Sequence, residues 1–129
     1  MASELRVDTL KDSSGNNSVG MSYVAEGSKK FWINVNTSTF VVADSFNNSS
    51  NTDDGTGLAT HSFTSSMNNS GYNFQANRNG STNSTNGFIA EINAEATSSI
   101  STSAKYIDSN SVNLGDASRL SASVTGDLA

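Results

Sequence analysis

Cysteine and proline are both absent from the 129 residues. Without thiols there is no disulfide staple, no thiolate nucleophile and no cysteine-based zinc site, so a small domain must find its stability elsewhere, most commonly by oligomerising. Without proline, strand edges depend on polar side chains or on pairing with a neighbour for protection. Charge is also sparse: seven basic against twelve acidic residues give a net charge of -5 and an isoelectric point near 4.5. Such a chain has no basic stripe to displace phosphate counterions, which argues against nucleic acid as a partner. The one basic doublet, Lys29-Lys30, reads as a solvated strand edge. No apolar run approaches the ~20 residues that cross a bilayer, so no membrane insertion is expected. The opening Met1-Ala2-Ser3-Glu4-Leu5-Arg6 lacks the apolar centre of a signal peptide, and synthesis in a cytoplasm is the corresponding expectation.

What fills the space is serine (25), asparagine (17) and threonine (12), against only 34% hydrophobic residues. The length suits one domain with a thin core. Apolar residues recur with a period of two, which marks half-buried strands. Val19, Met21, Tyr23 and Ala25 share one such face, and Phe31, Ile33 and Val35 another, with Trp32, Asn34 and Asn36 opposite. Phe40 to Ala43 follows after the turn-like Asn36-Thr37-Ser38-Thr39, predicting a hairpin. Alternation returns at Ala59, His61 and Phe63, at Tyr72, Phe74 and Ala76, at Phe88, Ala90, Ile92 and Ala94, and at Leu120, Ala122 and Val124. Residues 93–111 read as strand or loop. Turns are expected at 51–57, 68–71 and 77–87, where asparagine, aspartate and glycine concentrate. The pattern predicts an all-β fold, a small antiparallel β-sandwich or jelly-roll-like barrel spanning 19–129. It is preceded by an N-terminal arm or edge strand (1–18) on which Leu5, Val7 and Leu10 face inward.

Catalytic chemistry finds little to work with. His61 stands alone and reads as a surface or partly buried structural histidine, because neither an orienting carboxylate nor a particular serine is implied by its spacing. With no cysteine and a single histidine, a catalytic zinc site would need mostly carboxylate ligands, an uncommon set. Asp53-Asp54 sits in a turn-like stretch that echoes a calcium loop only in part and lacks its closing glutamate. Glu91 and Glu95, on one strand, would point the same way nearly 13 Å apart at roughly 3.3 Å per residue, too far for a glycosidase pair. The triplets Asn36-Thr37-Ser38, Asn47-Asn48-Ser49 and Asn83-Ser84-Thr85 follow from composition, and Gly55-Thr56-Gly57 lacks the rest of a phosphate loop. No catalytic residue, cofactor or metal is therefore expected, and the chain reads as a non-enzyme. Trp32, Tyr23 and Tyr72 are the candidate binding or packing aromatics, core filling being the plainer role for Trp32, Phe31, Phe63 and Phe74.

Lys30-Phe31-Trp32-Ile33-Asn34-Val35-Asn36, then Phe40-Val41-Val42-Ala43-Asp44-Ser45-Phe46-Asn47 and Asp53-Asp54-Gly55-Thr56-Gly57, resembles a recurring module of tailed-phage virion proteins. Phe63 corresponds to the phenylalanine closing that module's next strand, and Met67-Asn68-Asn69-Ser70-Gly71-Tyr72 is similar to the segment after it. Leu5-Arg6-Val7-Asp8-Thr9-Leu10-Lys11-Asp12-Ser13-Ser14-Gly15-Asn16 resembles the opening of marine and cyanobacterial phage fibre-like proteins, and Val124-Thr125-Gly126-Asp127-Leu128-Ala129 their ending. The likeness covers both ends and 19–76 and fades over 77–118. Phe31 stands where the module has a small residue, and Asn48-Ser49-Ser50 where it has a β-branched one.

The resemblance implies a non-enzymatic virion component, all-β and trimeric: a tail-fibre-like or capsid-surface appendage, such as a decoration protein or head fibre. Its implied partners are copies of itself and other virion proteins of capsid or tail. The composition agrees, since a thin polar core gains from association. Docking by the arm through Leu5, Val7 and Leu10 is the expected mechanism. The alternative expectation is a carbohydrate-recognition module that reads a host-surface glycan through Trp32 or Tyr72 and asparagine-rich loops.

Overall fold

The computed structural model describes residues 6–79 and 87–129. The chain begins with a short hairpin, β1 (Thr9–Lys11) against β2 (Ser18–Gly20), and the seven-residue helix α1 (Met21–Gly27). Among the described residues nine strands follow: β3 (Lys29–Asn36), β4 (Val41–Phe46), β5 (Asn48–Gly55), β6 (Leu58–Phe63), β7 (Asn73–Asn79), β8 (Phe88–Ala96), β9 (Ser99–Asp108), β10 (Ser111–Leu114) and β11 (Arg119–Thr125). They form two antiparallel sheets packed as a small β-sandwich. One has the order β4-β3-β11-β7. In the other, β5-β6-β9 continues to β8, while β10 extends the β6 side of β9: Lys105 pairs with Ile89 across one edge and with Leu114 across the other.

The period of two locates the core. Phe31, Ile33 and Val35 from β3 meet Leu120, Ala122 and Val124 from β11 on one inner face, opposite His61, Phe63, Ile100 and Ala104. The Phe31 and Phe63 rings lie 4.9 Å apart, and Tyr72 stands edge-on to Phe63 at 6.1 Å. Burying each large apolar side chain contributes roughly 2 kcal/mol.

Four sequence expectations are corrected. Val19 to Ala25 is not one strand: β2 stops at Gly20, and Met21 to Gly27 is helical. Met21, Val24 and Ala25 also satisfy helical spacing, and methionine, alanine and glutamate favour it over so short a run. Asn51 to Asp54 is strand rather than turn, paired along β6 as far as Gly55, with the turn confined to Thr56-Gly57. Asn77-Arg78-Asn79 belongs to β7; the remainder of that predicted turn, residues 80–86, lies outside the described residues, and so does Leu5. Finally, Phe74 shares the inner side of its edge strand with Ala76 but remains 38% exposed, so it is not core.

The crossing from one sheet to the other is made at Asn47, between β4 and β5, with φ +57°. Its amide nitrogen donates to the carbonyls of Lys30 (2.9 Å) and Ser65 (3.0 Å), and its oxygen accepts the Ser65 N–H at 2.7 Å. A single side chain thus ties the corner to β3 and to the segment that leaves β6. Asparagine is also among the few non-glycine residues that visit this backbone region readily. Asn47→Ala should cost about 2 kcal/mol, read as a lower urea midpoint at unchanged slope; an unaltered midpoint would show the corner to be held by backbone alone.

Candidate functional site

Two surfaces stand out. The first is the outer face of the β4-β3-β11-β7 sheet. Strand registers align Phe46, Trp32, Ser123 and Gln75 in one row across the four strands, and Asp44, Asn34, Ser121 and Asn77 in the next. Between β3, β11 and β7 these rows line a shallow groove of about 560 Å³, to which Lys29 contributes the only charged side chain. Trp32 is half-buried here rather than in the core. The Ser121 hydroxyl donates to Asn34 Oδ1 and so fixes the orientation of that amide within its row.

The second surface is the N-terminal hairpin and helix. Among the described residues none before Phe31 is buried. Leu10 is paired with Val19 inside the hairpin, and both remain exposed (43% and 39%), while Val7 is half-exposed. Of the two expectations for 1–18, an arm or an edge strand, the edge strand is corrected, as is the inward facing of Leu10: among the described residues β1 pairs only with β2, in a two-stranded sheet separate from the sandwich. The connecting turn is organised by Asp12, whose carboxylate accepts from the Asn17 amide, the Ser14 hydroxyl and the Asn16 N–H. Led by the Asn17 bond, these contacts hold its pKa below the ordinary aspartate value.

The candidate aromatics separate. Trp32 lines the groove, and Tyr23 lies on α1 at 78% exposure. Tyr72 is buried instead, its hydroxyl donating to the carbonyls of Ala96 (3.1 Å) and Ser99 (3.2 Å). Burial, with Glu95 nearby adding to it, pushes its pKa up to about 12. A ring so held is a core strut, and the expectation that it could read a ligand is withdrawn. The groove residues Gln75, Asn77, Ser121 and Ser123 were not among the expected site residues. Their period-two placement opposite core positions was the available signal, but which strands are neighbours was not legible.

The acidic groups fall to local duties. Asp53 accepts the Gly55 N–H at 3.0 Å and Asp54 the Thr60 hydroxyl at 2.6 Å. Glu91 is ion-paired to Lys105. A bulge between Ile92 and Ala94 turns Glu95 to the opposite face of β8, so the two glutamates do not point the same way as expected. Among the described residues no group of three or more histidine, aspartate or glutamate side chains could hold a metal, and no helix is long and apolar enough to cross a membrane. Comparison with protein-family models, with curated proteins and with solved structures finds no match to this chain.

Proposed function

We propose that the chain is a non-enzymatic structural component of a bacteriophage virion, a tail-fibre-like or capsid-surface appendage that assembles with copies of itself, as a trimer, and docks on the particle through its N-terminal hairpin and helix. The virion assignment is supported by the resemblance of the β3–β5 segment and the chain ends to phage virion proteins. The observation that carries the docking role is the N-terminal unit itself. Leu10, Val19, Tyr23 and Val24 are all more than a third exposed on a two-stranded hairpin and a seven-residue helix without a buried residue. Neither element is stable alone in water, so contact with a partner is the physical reason for such a unit to persist. Val112 and Leu114 on β10 add exposed apolar surface to the sandwich.

The test is the pair Leu10→Asp and Val19→Asp in the full chain. Both positions are exposed, so the sandwich should keep its unfolding midpoint and its oligomeric state, while incorporation into particles should be lost. Unchanged incorporation would reject the docking role, and a wild-type protein that sediments as a folded monomer at micromolar concentration would reject self-assembly.

A further inference from the structure

We propose that the outer face of the β4-β3-β11-β7 sheet binds a neutral saccharide, with Trp32 as the platform beneath a sugar ring and Asn34, Gln75, Asn77 and Ser121 bonding its hydroxyls. A pyranose presents an apolar C–H face and a rim of hydroxyls that both donate and accept. The groove offers the matching set: one indole, three primary amides that donate and accept, and serine hydroxyls that do the same. Phe46, 53% exposed, lies opposite Trp32 on the edge strand β4, outside the groove.

Other occupants fit less well. An anionic ligand would find one cation, Lys29, among the lining residues, with Arg119 a row further along the face, beyond Ser121 and Asn77. A second copy of the chain would want an interface core enriched in aromatic residues and arginine and depleted in serine, and Ser121 and Ser123 stand at the middle of this face. The three strands lining the groove span roughly 10 Å at the usual interstrand spacing, room for one or two sugar rings. The polar groups ride on paired strands rather than loops, so little ordering cost accompanies binding. The open face implies weak affinity, with Kd on the order of 1 mM.

Trp32 is the only tryptophan, so intrinsic fluorescence of the assembled full-length protein reports on this groove directly. Titration with maltohexaose, cellohexaose and mannohexaose should give a saturable change in emission for at least one of them. By calorimetry, Trp32→Ala should weaken that saccharide by ~10-fold or more, Trp32→Phe should retain most of the binding, and Asn34→Ala and Gln75→Ala should each cost about 3-fold to 10-fold. All four variants should sediment as the wild type does. No saturable response to any of the three up to about 10 mM overturns the proposal; so does a response to sialyllactose alone, which would mark an anion site. An indole shielded from acrylamide in the oligomer and unmoved by sugar overturns it in favour of a subunit interface. Saccharide binding and assembly fail separately: loss of binding with normal sedimentation removes only the former, and the Leu10→Asp, Val19→Asp chain should still bind sugar.

Discussion

Replacing Gly57 by alanine is expected to bring the sandwich close to unfolding, at a cost of about 4 kcal/mol or a fall of roughly 15 °C in thermal midpoint. Gly57 has φ +69°, and a Cβ built there would stand 2.5 Å from the Ala104 carbonyl oxygen and 2.7 Å from the Gly115 nitrogen. Those two atoms are themselves joined by a 3.0 Å hydrogen bond from Gly115 N–H to Ala104 O. The methyl group would therefore be driven against both ends of a backbone bond that cannot rotate away. Two further bonds hold Gly57 in place. Its carbonyl accepts the Ala104 N–H at 2.7 Å, and its own N–H donates to Asp116 Oδ1 at the same distance. Relief of the collision would break the clasp between the β5–β6 turn, β9 and the segment after β10. Gly55 supplies the control. Its φ of +119° also disfavours alanine, but open space surrounds it, so Gly55→Ala should show backbone strain alone, on the order of 1–3 kcal/mol. Urea titrations of both variants decide the matter. Equal losses would mean that close approach at Gly57 adds nothing to its conformational cost.

That glycine illustrates what was legible and what was not. A turn at Gly55-Thr56-Gly57 could be read from composition, because glycine reaches positive φ without a steric penalty. That Gly57 is pressed against Ala104 and Gly115 depends on pairings distant in sequence, which local patterning does not encode. The inner faces of β3, β6 and β11 were legible for the converse reason. Phe31-Ile33-Val35, Ala59-His61-Phe63 and Leu120-Ala122-Val124 alternate cleanly, since the residues between them face solvent or the groove. Edge strand β5 carries Asn51-Thr52-Asp53-Asp54 with no apolar face at all, so its strand character comes from pairing with β6. Asn51 meets a second need there, reaching over to His61.

The groove was half legible. Trp32, Asn34 and Asn36 could be set on the face opposite Phe31, Ile33 and Val35 from alternation alone. What completes the site is the insertion of β11 between β3 and β7, which brings Ser121, Gln75 and Asn77 into rows with Asn34 and Trp32. Neither β-propensity nor spacing identifies a sheet neighbour so remote in the chain. For Tyr72, left between binding and packing, it is packing that holds, and the deciding partners of its hydroxyl, the carbonyls of Ala96 and Ser99, come from the end of β8 and the start of β9, remote in the chain.

Acidification from neutral pH to about pH 4 is expected to remove about 3 kcal/mol of stability through His61 alone, at close to 1.4 kcal/mol for each pKa unit. Against the expectation of a surface or partly buried histidine, the ring is fully buried beside Phe31, because Asn51 Oδ1 lies 2.8 Å from Nδ1 and Thr102 Oγ1 3.1 Å from Nε2 and together they satisfy both nitrogens away from water. With the Asn51 oxygen accepting, Nδ1 carries the proton and Nε2 accepts from the Thr102 hydroxyl, a neutral ring with both nitrogens satisfied. Burial penalises the imidazolium and lowers the pKa from 6.5 to about 4, against the opposing pull of the Asp54 carboxylate. The unfolded chain takes up the proton as pH falls through 6.5, whereas the folded chain resists it until about 4. Stability is consequently full above that window, declines as pH drops across it and levels off below it, as far as this group is concerned. Protonation would also require Thr102 to turn its hydroxyl toward the Ala59 carbonyl, at 3.4 Å a poor replacement. Urea unfolding at pH 7 and pH 4.5 should show the wild type losing most of this increment. His61→Gln keeps a polar group for Asn51 and Thr102 but cannot titrate, so it should lower stability at pH 7 and flatten the dependence between the two conditions. A variant whose midpoint falls with pH as steeply as the wild type would place the acid sensitivity in the carboxylates instead.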